Sequence, residues 1–102
     1  MRRFNEKRIS ADMVPSMFQL AQNYPNPFSE RTTIKYCVPR RERIVLTIYD
    51  ADDEMVQRLV DKVEEPGTYE VVWHAKKMSH GIYKYEMKAA EYRSTKEMEL
   101  KK

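Results

Sequence analysis

Phe18-Gln-Leu-Ala-Gln-Asn-Tyr-Pro-Asn-Pro-Phe28 runs directly into Ser29-Glu-Arg-Thr-Thr-Ile-Lys-Tyr-Cys-Val-Pro39. Three of the chain's five prolines fall here, so no helix can carry the stretch. Pro25 and Pro27 have fixed φ and donate no backbone N–H. Tyr24 and Asn26, each before a proline, are pushed toward extended backbone. The segment is therefore stiff and kinked, with Tyr24 and Phe28 as aromatic anchors. Beyond it, Ile34, Tyr36 and Val38 alternate with Thr33, Lys35 and Cys37, the period of a strand with one buried face. Pro39 ends that strand. Upstream, Phe18-Gln-Leu20 reads as a short first strand with Phe18 and Leu20 on one side.

Working outward, the same period recurs. Arg40-Arg-Glu-Arg43 has the length and charge of a hairpin connector. Ile44 to Asp50 is a strand apolar on both faces, as a central strand requires. Asp50-Ala-Asp-Asp-Glu54 reads as a tight acidic turn. It lacks the ligand series and mid-loop glycine of a calcium loop. Met55, Val56, Leu59 and Val60 fit a helical period better than a strand period. Their place between strands in so short a chain favours a strand with a bulge. Glu65-Pro-Gly-Thr68 is a turn in which Gly67 can take positive φ. Tyr69, Val71 and Trp73 then point one way, with Trp73 the natural centre of a core. Gly81 to Met87 is a strand with Tyr83, Tyr85 and Met87 inward, and Tyr92 to Leu100 is the last strand. About seven short strands at this spacing predict an all-β, immunoglobulin-like antiparallel sandwich over residues 18–102. Residues 1–17 are polar and aperiodic and read as a tail or linker, with room for a short helix.

Composition narrows the function. A chain of 102 residues holds one modest core and little room for an enclosed active site. Nineteen basic and 16 acidic residues leave a net charge of only +3, which argues against nucleic acid. The single cysteine, Cys37, excludes an internal disulfide and reads as a half-buried strand thiol. His74 and His80 have no cysteine or well-placed carboxylate partners for a metal. No nucleophile–base pair, paired carboxylates or phosphate loop is visible, so neither an enzyme, nor a cofactor, nor a small-molecule substrate is expected. Glu64-Glu65 and Asp52-Asp53 read as solvated charge. No run approaches the roughly 20 apolar residues of a membrane span. Met1-Arg-Arg-Phe4 starts basic, yet no apolar segment follows to complete a secretory signal.

The motif Phe18-x-Leu20-x-Gln22-Asn-Tyr-Pro-Asn-Pro-Phe28, then Thr32-Thr-Ile34-x-Tyr36 and Val38-Pro39, closely resembles the start of the type IX secretion system C-terminal sorting domain (type A). Further pieces follow in order: Val45-x-x-Ile48-Tyr49-Asp50, Val56-x-x-Leu59-Val60, Gly67-x-Tyr69-x-Val71-x-Trp73, Ser79-x-Gly81-Ile82-Tyr83-x-Tyr85, and Thr95-Lys96-x-Met98-x-Leu100-x-Lys102. The immunoglobulin-like domain of the flagellar hook-capping protein is similar and shares parts of the pattern. The chain departs from the sorting-domain pattern at three turns. Asp53 stands where a glycine is usual, His74-Ala75 where Asp-Gly is usual, and Ala90 or Glu91 where a glycine precedes the last strand. A non-glycine residue held at positive φ there would cost about 1 kcal/mol.

The resemblance implies a non-catalytic address label, recognised by the outer-membrane secretion machinery and then removed by a sortase. It implies Pro25, Asn26, Pro27, Gly67, Gly81, Tyr83, Lys96, Lys101 and Lys102 as elements of partner recognition. The protein is expected to be secreted or at the cell surface as the tail of a longer exported chain, and cytoplasmic if Met1 is its start. The alternative function is a structural or adhesive immunoglobulin-like module that binds a protein through a sheet edge.

Overall fold

The computed structural model describes residues 15–102, so most of the tail read over residues 1–17 lies outside the described residues. Seven strands follow one another: β1 (Gln19–Leu20), β2 (Arg31–Val38), β3 (Glu42–Tyr49), β4 (Met55–Glu64), β5 (Gly67–His74), β6 (Gly81–Ala89) and β7 (Tyr92–Leu100). They form a three-stranded sheet, β1-β2-β5, and a four-stranded sheet, β4-β3-β6-β7. Every pairing between strands is antiparallel. This is the seven-strand immunoglobulin pattern with the fourth strand hydrogen-bonded beside the third.

Alternation decides which faces meet. Ile34, Tyr36 and Val38 of β2 and Ile44, Leu46 and Ile48 of β3 are buried, and they belong to opposite sheets. Two apolar faces packed this way bury hydrocarbon from both sides, worth about 25 cal/mol per Å² removed from water. The expected hairpin at Arg40–Arg43 is therefore not one. Residues 39–41 carry the chain from one sheet to the other, and β2 never pairs with β3. A link this short fits a hairpin or a crossing between sheets equally well; the need to bury both faces selects the crossing. Trp73 is the centre of the core, edge-on to Phe28 at 5.9 Å and to Tyr83 at 5.3 Å between ring centroids.

The odd spacing in β4 has a structural cause. Its register against β3 slips between Leu46 and Thr47 and again between Ile48 and Tyr49, leaving Leu59 and Val56 as extra residues. Each bulge resets the side-chain phase. Val56, Leu59 and Val60 consequently all pack against the core, while Met55 is exposed. Two bulges in six residues imitate a helical period.

The turns confirm two of the three departures as positions of positive φ. Asp53 has φ 64° and Ala90 has φ 54°. Ala90-Glu91 joins β6 to β7 as a two-residue hairpin, since Ala89 pairs with Tyr92. Positive φ at its first central residue alone is the pattern of a type II′ turn, which favours glycine there. In the acidic turn, Asp50 Oδ1 accepts the N–H groups of Asp52 and Glu54, both at 2.9 Å. The third departure carries no such cost. His74 ends β5, neither His74 nor Ala75 has positive φ, and the Ala75 N–H donates to Glu30 O at 2.7 Å.

One expectation about charge is overturned. Glu65 is exposed, but Glu64 is buried and accepts the Tyr36 hydroxyl at 2.5 Å. As the last residue of β4, Glu64 points inward beneath the stacked rings of Tyr36 and Tyr69. A tyrosine that alternates with the core in sequence has an OH to satisfy, and Glu64 supplies the acceptor.

Candidate recognition site

The proline segment is clasped rather than free. Its two X-Pro bonds, Tyr24–Pro25 and Asn26–Pro27, are both cis. Tyr24 exchanges both backbone hydrogen bonds with Thr33, at 2.9 Å each. Buried Asn23 donates through Nδ2 to Thr32 Oγ1 at 2.9 Å and to Pro25 O at 3.2 Å, and Thr32 Oγ1 donates to Pro25 O at 2.8 Å. A buried side-chain amide satisfied this way ties the bend to β2.

The same segment then turns to the far sheet. Gln22 Nε2 donates to Glu97 O at 2.6 Å, and Asn26 Oδ1 accepts the Glu99 N–H at 2.9 Å. Phe28 N–H donates to Glu99 O at 3.0 Å, and Lys101 N–H to Phe28 O at 2.8 Å. Phe28 and Leu100 thus form a parallel bridge, with both side chains in the core. The C-terminal half of the edge strand β7 is covered by the opening motif, which holds the two ends of the domain together. Pro25, Asn26 and Pro27 remain exposed above this clasp, and Tyr24 is 80% exposed.

Seven of the nine expected recognition residues gather at this end. They are Pro25, Asn26 and Pro27, Gly81 opposite Leu100, Tyr83 opposite Met98, and Lys101 and Lys102 beyond β7. Lys102 Nζ reaches Lys76 O at 2.5 Å, which joins the last residues to the turn at Lys76-Lys77. Lys76, Lys77, Lys101 and Lys102 are exposed at this end, and so is the acidic turn Asp52-Asp53-Glu54 beside the start of β6, so both signs of charge meet here. Gly81 has φ 148°, and a Cβ added there meets nothing within 4 Å. Backbone conformation, not crowding, is what favours glycine at that position. Tyr83 differs from the rest: it is buried, and its hydroxyl donates to Ser79 O at 2.7 Å. Burial, with the charge of Asp50 second, raises its pKa above the usual phenol value. Its ring packs edge-on against Trp73 in the core.

Two expected residues lie elsewhere. Gly67 pairs with Val38 at the opposite end, about 20 Å away at 3.3 Å per strand residue. Lys96 sits midway along β7 and lines a groove of about 510 Å³ between β1 and β7. The clasp has no signature in residue type: Gln22, Glu97 and Glu99 look like other polar residues of the chain. Only the parity of β7, with even positions inward, hints that Glu97 and Glu99 turn backbone outward. Among the described residues, no three His, Cys, Asp or Glu side chains come together as a metal site. No helix there is long and apolar enough to cross a membrane. This end of the domain offers backbone edges and exposed prolines and lysines.

A small immunoglobulin-like sandwich whose proline-rich opening is hydrogen-bonded to its last strand defines the class of this domain. Compared with known families, the chain matches the one described as "Secretion system C-terminal sorting domain" over residues 22–101. The chain belongs to that family, the C-terminal sorting domains of type IX secretion. No match was found among curated proteins or among solved structures.

Proposed function

We propose that this domain, residues 18–102, is a non-catalytic tail that the outer-membrane type IX machinery recognises, and that it delivers the protein carrying it to the cell surface or the medium. The observation that carries this reading is the family match across residues 22–101. The clasped end supplies a physical means: exposed Pro25, Asn26 and Pro27 lie beside Gly81, Lys101 and Lys102 on one hydrogen-bonded surface. Buried Tyr83 shapes that surface from below. Gly67, at the far end, acts in the turn between sheets. Removal of the tail by a sortase after export belongs to the same proposal.

The test is a reporter bearing a signal peptide, fused to the full 102-residue chain, in a host with a working type IX system. Deleting the last strand is a poor control, because Met98 and Leu100 are core residues and their loss unfolds the domain. The informative variant is Lys101→Glu/Lys102→Glu, since both side chains are exposed. Reporter at the surface or in the medium, reduced at least tenfold by the double reversal, is the expected result. A wild-type fusion that stays in the periplasm overturns the proposal.

A further inference from the structure

The opening motif covers only half of the β7 edge. Odd-numbered residues of β7 turn their backbone groups away from β6, as the contacts to Glu97, Glu99 and Lys101 show. By the same parity Arg93 and Thr95 direct N–H and C=O groups to the open side, and among the described residues nothing meets them. From Arg93 to the N–H of Glu97, whose C=O already accepts from Gln22, this edge is about 13 Å long, enough for four or five extended residues. Beside it lies the groove between β1 and β7. The stacked rings of Phe18 and Tyr92, 5.5 Å apart, close one end, and the Gln22–Glu97 bond closes the other. Leu20 and Tyr36 contribute its apolar floor.

Lys96 decides what fits. It points into the groove, half-buried, and among the described residues no carboxylate or carbonyl pairs with it. An inward-pointing charge on an edge strand works against pairing with an identical edge. Two β7 strands paired antiparallel about Thr95 would place Lys96 diagonal to the Lys96 of the other copy, inside one groove. A second copy is therefore the wrong occupant. A strand with a carboxylate at that position meets the lysine with opposite charge and completes the edge ladder.

We propose that the free edge of β7 from Arg93 to Glu97 takes an extended segment of a protein partner by strand addition, with an acidic side chain of that segment set against Lys96. This rests on the reading of the domain as a sorting tail and names how the machinery holds it. Thr95 supplies an N–H and a C=O to the added strand. Leu20 and Tyr36 receive its apolar side chains.

The test uses the full-chain reporter fusion with Thr95→Pro, Lys96→Gln, Lys96→Glu and, on the opposite edge, exposed Lys62→Glu. Proline at Thr95 removes an outward N–H without breaking the β6 ladder, and Lys62→Glu makes the same charge change away from the groove. Thermal melting of each purified fusion confirms that the domain folds. The expected result is export reduced at least tenfold by Thr95→Pro and by Lys96→Glu, a smaller loss with Lys96→Gln, and none with Lys62→Glu. Wild-type export with all four variants exported normally overturns strand addition while leaving the sorting function standing. If wild-type fusion is not exported, the sorting reading fails and this proposal falls with it. Sedimentation of the purified chain supplies a separate check: a dimer that Thr95→Pro dissolves identifies a second copy as the occupant and overturns the acidic partner.

Discussion

Replacing Ala90 by glycine stabilises the domain. Ala90 has φ 54° at the first central position of the β6–β7 turn, where its Cβ crowds the backbone. Holding an L-residue in left-handed backbone costs about 1–2 kcal/mol, and glycine escapes that cost. Glycine also gives the unfolded chain more freedom, which takes back about 0.4–1 kcal/mol. The net gain is about 0.5–1 kcal/mol. For a domain of this size each kcal/mol moves the midpoint by about 4–8 °C, so Ala90→Gly raises Tm by about 2–8 °C. Asp53→Gly is the matched comparison. Its φ is 64°, but Asp tolerates left-handed backbone better than Ala, and Asp53 Oδ1 accepts from Lys84 Nζ at 2.5 Å. Asp53→Gly therefore gains less than Ala90→Gly or nothing. Paired thermal melts at one pH read both. An Ala90→Gly midpoint at or below wild type shows that Ala90 carries no backbone cost, and a larger gain at Asp53 than at Ala90 rules out the ranking given.

Other outcomes follow from the same geometry. Asn23→Ala leaves Thr32 and Pro25 short of a buried partner and lowers stability by about 1–3 kcal/mol, read by urea unfolding. Phe28→Ala opens a cavity against Trp73 and costs about 3–5 kcal/mol, a large share of a small domain's total, so its melt shifts far below wild type. Burial pushes Tyr85 up to about 12, and Tyr36 is raised too, by burial first and then by its bond to Glu64. The folded state keeps these protons above pH 10 while the unfolded chain loses them, so stability is present below about pH 10 and falls as pH rises from there to about 12. The slope reaches about 1.4 kcal/mol per pH unit for each tyrosine, and urea midpoints between pH 9 and 11 should show Tyr85→Phe with the shallower fall.

Strands were legible because alternation is a local property. Ile34-x-Tyr36-x-Val38 and Tyr83-x-Tyr85-x-Met87 place their side chains whichever strand lies beside them. Which strand does lie beside them is not local. The link at residues 39–41 reads the same whether it folds back or crosses, and only the packing of β2 against β3 decides. Double bulges hid β4 behind a helical spacing, because each extra residue shifts the phase of those after it. Glu64 looked like its neighbour Glu65, since nothing in two adjacent glutamates shows that one meets a tyrosine 28 residues away. Within the candidate site, Pro25, Asn26 and Pro27 stood out by residue type. Their hold on β7 runs through the Asn26 side-chain Oδ1 and main-chain groups of Phe28, Glu99 and Lys101, over 70 residues apart in the chain. Backbone hydrogen bonds leave no signature in residue type. Ala90 was narrowed to one of two positions by pattern, and positive φ selects it.

Dependence on the type IX translocon decides whether this domain is a sorting signal. The reporter with the full chain is expressed in two hosts, one with an intact type IX translocon and one with it disabled, and the periplasm, surface and medium are assayed in each. A sorting signal puts reporter at the surface or in the medium of the intact host and leaves it confined to the periplasm of the disabled one. The same distribution in both hosts overturns the sorting function.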